Sequence, residues 1–127
     1  MKRTFLTLVL IGGAMIGSLY AHHSFAATYQ EDKTARIEGR LMQFTFRNPH
    51  SFVQVEVKEE NGTVKRWSVE WGGAAQLGSQ GLSRDSLRPG DHVIVVGQPG
   101  RNAVDNRLKM LSITRPSDGW KWGGTFD

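Results

Sequence analysis

No cysteine occurs among the 127 residues, which excludes disulfides, thiolate metal ligands and cysteine nucleophiles together. Any metal would have to be held by histidine, carboxylate or backbone donors. Concentrated charge is also missing. Sixteen Lys and Arg stand against twelve Asp and Glu, and no basic run forms a stripe, so the chain is not expected to bind nucleic acid. There is no glycine-rich phosphate cradle, and Ser24, Ser51 and Ser68 form no nucleophile, base and orienter set with the acids. No catalytic residue is therefore assigned, and an enzyme is not expected. Long apolar runs are absent except at the N-terminus, and that exception sets where the domain begins.

Residues 1–21 have the parts of a secretory signal: Lys2 and Arg3, an apolar stretch from Phe5 to Ile16, then Gly17-Ser18-Leu19-Tyr20-Ala21. Cleavage after Ala21 is expected, leaving a periplasmic or secreted chain with no membrane span. Loss of Lys2 and Arg3 with the leader would lower the formal net charge from +4 to +2. Thr4 to Ala21 is close to spanning length, so an uncleaved anchor is the competing reading, disfavoured by Gly12, Gly13 and Gly17. Cleavage after Ala26 or Ala27 is a third. The chain beyond the leader has room for one modest core, hence one domain.

Residues 22–33 read as an extended lead-in with Phe25 and Tyr29 as its apolar anchors. From Thr34 to Phe46, Ile37, Gly39 and Leu41 share one parity and Met42, Phe44 and Phe46 the other, a switch that predicts a β-bulge in a long bent strand. Arg47-Asn48-Pro49-His50 ends it. Val53, Val55 and Val57 alternate with polar residues as a half-buried strand, and Asn61-Gly62 signals a hairpin. The return strand, Thr63 to Trp71, points Lys65, Trp67, Val69 and Trp71 inward and Val64, Arg66, Ser68 and Glu70 outward. Ala74 to Leu87 suits a short helix or helical turns. Val93 to Val96 reads as a continuous buried strand, Gln98 to Asn106 as a loop, and Leu108 to Thr114 as a last strand ended by Pro116. The expectation is an all-β fold: a five-stranded OB-like barrel over 34–116, a short helical connector between strands 3 and 4, and a tail over 117–127 that is either a flap over the barrel mouth or loosely held. A small all-β roll is the alternative.

The chain has four histidines. Cutting after Ala21 would make His22 the first residue, and a free α-amine beside an imidazole chelates a nitrogen-preferring metal, copper(II) before zinc. In an OB-type barrel the loop between strands 1 and 2, which holds His50, shares the binding end with the loop between strands 4 and 5. Extended at about 3.3 Å per residue, the lead-in spans roughly 40 Å, the length of strand 1, so it can run back to that loop. His22, His23 and His50 are accordingly the candidate metal ligands. His92, opening strand 4, belongs at the opposite end as a partly exposed strand-end residue. Glu70 beside Trp71 could have a raised pKa, but exposure on the polar face is the preferred reading.

A second function is compatible with these residues. A non-catalytic module could recognise a periplasmic protein or small ligand through Phe44, Phe46, Phe52, Trp67 and Trp71, although most of these fall on the inward parity.

Four short motifs stand after the apolar leader: Ala21-His22-His23-Ser24-Phe25, Asn48-Pro49-His50, Trp67-Ser68-Val69-Glu70 and Leu87-Arg88-Pro89-Gly90-Asp91. Together they resemble an uncharacterised family of small exported bacterial proteins, a domain of unknown function. The resemblance implies an exported single domain with His22, His23, Asn48, Pro49 and His50 as its signature, and no activity, ligand or partner. Gly72-Gly73-Ala74-Ala75 departs from the Gly-Ser-Pro-type connector of that pattern, and the tail from Asp118 to Asp127 is richer in tryptophan.

Overall fold

The computed structural model describes residues 24–126. The leader, His22 and His23 lie outside the described residues.

The first described residues, 24–28, are helical and are labelled α1. The strands are β1 Ala35–Thr45, β2 Phe52–Lys58, β3 Val64–Glu70, β4 His92–Pro99, β5 Arg107–Arg115 and β6 Trp120–Gly123, with α2 Ala74–Ser79 between β3 and β4. The strand order is β3-β2-β1-β4-β5-β6, and a parallel β3–β5 pairing closes the first five into a barrel. This is the expected OB-type order, with the helix in the expected connector and β6 as an additional strand.

The length and bend of β1 make closure possible. Its first half, Ala35 to Arg40, pairs with β4, and its second half, Arg40 to Thr45, pairs with β2. The register shifts between Leu41 and Gln43, so Met42 is the bulge that the parity switch predicts. Gly39 lies just before the bulge, where a Cβ would overlap the Glu56 carbonyl oxygen. A strand serving two neighbours at a barrel corner needs that close approach.

Alternation fills the interior. Ile37 and Leu41 from β1, Val53 and Val55 from β2, Val69 from β3, Val93 and Val95 from β4, and Leu108, Met110 and Ile113 from β5 are buried together with Trp71. The run Val93 to Val96 is not buried throughout: Ile94 and Val96 are only half-buried, because a barrel strand has one inner face. Leu77, Leu82 and Leu87 bring the connector into the same core.

Two terminal segments differ from expectation. The lead-in is not extended throughout: it is helical at 24–28, its turn held by Tyr29 N donating to Phe25 O at 2.7 Å. A turn places Phe25 and Tyr29 on one side, and both are buried. The tail is neither a flap nor loose. β6 pairs antiparallel with β5 over Ser112 to Arg115, the Trp122 indole meets Trp71 edge-on at 5.0 Å and donates to Gln80 Oε1 at 2.7 Å, and Phe126 is buried.

Candidate functional site

The turn 46–51 between β1 and β2 and the loop 100–106 between β4 and β5 lie at one end of the barrel, because Phe52 pairs with Glu70 and Glu70 with Lys109 near the start of β5. The first turn is tied down locally. The Ser51 hydroxyl, fully buried, accepts from Arg47 N at 3.2 Å and donates to Arg47 O at 3.3 Å, while Ser51 exchanges backbone hydrogen bonds with Gly72 and Trp71. Arg47 O and Asn48 Oδ1 in turn accept from Ala74 N and Ala75 N at the start of α2. His50 therefore stands on a turn fastened at both ends.

The lead-in crosses this end of the barrel. Tyr29 forms an antiparallel bridge with Gly100, Gln30 N donates to Pro99 O, and Arg101 N donates to Thr28 O. Phe25 packs against the His50 ring with centroids 5.2 Å apart and meets Phe126 edge-on at 5.8 Å. Lys109, itself buried, lies with its Nζ 4.2 Å from the Phe25 ring centre. Aromatic pairs of this kind add about 0.5–1.5 kcal/mol each and a desolvated cation–π contact about 2 kcal/mol, all of which favour the docked segment.

Covering Glu70 is the main consequence. It points to the outer face of β3, as its parity requires, but its side chain is only 12% exposed. Oε1 accepts from His50 Nδ1 at 3.0 Å, and Oε2 accepts from the Tyr29 hydroxyl at 2.5 Å. Arg107 Nη2 is 3.8 Å from Oε2 and donates to the Tyr29 hydroxyl at 3.3 Å. The reading of Glu70 as an exposed polar-face residue is thus corrected: α1 and the residues after it roof it over. Burial, followed by the hydrogen bond to Glu70 and its charge, pushes the Tyr29 hydroxyl above its ordinary value, so it stays a proton donor. A carboxylate can only accept, so His50 Nδ1 is the donor to Glu70 and Nε2 is the nitrogen left over. Among the described residues, Nε2 makes no hydrogen bond.

Ser24, Phe25, Thr28, Pro49, His50, Glu70 and Arg107 line one cleft of about 490 Å³. Of the predicted ligands, His50 is in this cleft. His22 and His23 are outside the described residues, but Ser24, the next residue in the chain, lines the same cleft. His92 is exposed at the start of β4, paired through Nε2 with Glu38 Oε1 at 2.9 Å, as a strand-end residue should be. Among the described residues no group of three histidine, aspartate or glutamate side chains comes together as a metal cage. The proposed aromatic face is largely interior: Trp71 is fully buried, and Phe44, Phe46 and Trp67 pack against the core.

Sequence reasoning assigned no role to the Tyr29 hydroxyl or Arg107. Tyr29 was identifiable as an anchor, but its polar end finds a partner 41 positions away. Only the parallel β3–β5 pairing, a tertiary feature, brings Arg107 beside Glu70.

The fold and cleft define a small closed β-barrel whose N-terminal segment roofs one mouth. The chain belongs to a family of unknown function, DUF6152, whose model matches residues 11–109, in agreement with the expected membership of an uncharacterised family. No curated protein matches it. Among the described residues no helix is long and apolar enough to cross a membrane.

Proposed function

We propose that the protein is exported, loses residues 1–21, and binds a transition metal, copper(II) before zinc, at the roofed mouth of the barrel. His50 Nε2 would be one ligand, and the α-amine and imidazole of His22 would be the others, with His23 as the alternative imidazole. The single observation supporting this reading is the contact of Phe25 with His50: it holds Ser24 and Phe25, the first described residues after His22 and His23, at the cleft that His50 lines. Three nitrogens from an N-terminal histidine and a second histidine suit copper(II), which heads the affinity order among divalent first-row metals.

The test has two parts. Intact mass of protein exported by its own leader should correspond to a start at His22, and copper(II) titration of that protein should show a site that His50→Ala weakens by at least tenfold. A start after Ala26 or Ala27, or copper binding indifferent to His50→Ala, would remove the site and leave the barrel as a non-catalytic module for a periplasmic partner.

A further inference from the structure

We infer that Glu70 is a positioning residue for His50: it fixes the ring with the proton on Nδ1, so that Nε2 is presented to the cleft as the lone-pair donor. Free imidazole side chains in water favour the opposite tautomer, with the proton on Nε2, so the arrangement requires a partner. Glu70 supplies one at 3.0 Å. The carboxylate is held in turn: the Tyr29 hydroxyl occupies its second oxygen at 2.5 Å, and Arg107 stands 3.8 Å from that oxygen. Phe25 packs against the same ring, tilted by 35°. His50 is thus constrained in rotation by its contact with Phe25 and in protonation site by a carboxylate that Tyr29 and Arg107 hold. Histidines that ligate metals commonly have this carboxylate on the opposite nitrogen, where it orients the ring and raises its basicity; removing it typically costs ten- to a hundredfold in metal affinity.

Its metal arm rests on the reading proposed above; its tautomer arm does not. Nitrogen-detected NMR of the metal-free protein at alkaline pH should show His50 as the Nδ1–H tautomer, whereas His92, whose Nε2 faces Glu38, should show Nε2–H. Glu70→Ala should return His50 to the Nε2–H form, and so should Glu70→Gln, because the Tyr29 hydroxyl, to which Arg107 donates, takes the amide oxygen and leaves the amide NH2 facing Nδ1. In copper(II) titrations Glu70→Ala should bind ten- to a hundredfold more weakly than wild type, and Glu70→Gln should not recover that loss. A wild-type His50 found as Nε2–H overturns the inference without any variant, even if Glu70→Ala does not fold. Copper affinity unchanged in Glu70→Ala but lost in His50→Ala overturns it while leaving the metal reading intact. A wild type that shows Nδ1–H but binds no copper defeats the metal reading and supports the positioning role of Glu70.

Discussion

The rings of Phe25 and His50 lie 5.2 Å apart at an interplanar angle of 35°, and this contact joins the N-terminal segment to the turn between β1 and β2. It converts a polar stretch without secondary-structure period into the roof of a cleft. Because Phe25 also touches Tyr29, Phe126 and Lys109, the roof, the end of the chain and the start of β5 share one packing unit.

Phe25→Ala should therefore undock the roof. Replacing a buried phenylalanine by alanine costs about 3 kcal/mol or more where the site cannot collapse, but a terminal segment can release locally, and release caps the cost. The expected outcome is a modest fall in global stability together with fast hydrogen exchange at Tyr29 and Gln30, whose amides are donated to Phe25 O and Pro99 O. Exchange at those two amides as slow as in the wild type would show that Phe25 is not what holds the segment.

Gly73 is a second lever on His50 that touches no candidate donor. A Cβ there would sit 2.5 Å from Pro49 O and 2.8 Å from Asn48 Oδ1, so Gly73→Ala must push the Asn48-Pro49-His50 turn away from α2. The barrel core should survive, and the chemical shifts of His50 and Glu70 should move. If they stay at their wild-type positions, the contact between α2 and the turn does not position the site.

At Asp118 the expectation concerns pH. Arg115 donates to both its carboxylate oxygens, at 3.0 and 2.8 Å, and Trp120 N adds a third hydrogen bond. The Arg115 contact is the main cause that holds this carboxyl below its usual range, followed by the Trp120 amide. A carboxyl whose value is lower folded than unfolded contributes stability above its unfolded value, and that contribution fades as the pH falls through the folded one. Arg115→Gln should move the NMR titration of Asp118 upward toward an ordinary aspartate and reduce the difference in stability between neutral and acid pH. An unchanged titration would mean that the pair is not formed in solution.

The barrel was legible in the sequence because its signals are local. Alternation at Val53, Val55 and Val57, the Asn61-Gly62 hairpin and the parity switch around Met42 each arise from strand geometry within a few residues. The site was legible only in part. His50 could be assigned to the binding end from topology, and Phe25 and Tyr29 to anchoring positions from hydropathy. The role of Glu70 could not be read that way, since its outward parity implied exposure, whereas Tyr29 of the docked N-terminal segment, His50 and Arg107 all meet it. The tail misled for a related reason: Trp120 and Trp122 are spaced as a strand, but four residues carry too little pattern until β5 offers an edge.

Copper itself should act as a stabiliser if the proposed site exists, and the size of the effect can be bounded. A ligand that binds only the folded state at a hundred times its dissociation constant adds about 2.7 kcal/mol, and for a domain near 100 residues each kcal/mol raises the melting temperature by roughly 4–8 °C. Processed protein should thus gain at least about 10 °C with saturating copper(II), and a chelator should reverse the gain. His50→Ala should abolish most of it. So should acetylation of the mature α-amine, which removes it as a ligand without altering any described contact in the barrel. That modification separates an N-terminal chelate from a site that needs only the imidazoles of His22 or His23 with His50: a full thermal shift retained by the acetylated protein would exclude the amine as a ligand, and a shift retained by His50→Ala as well would detach copper from the cleft altogether.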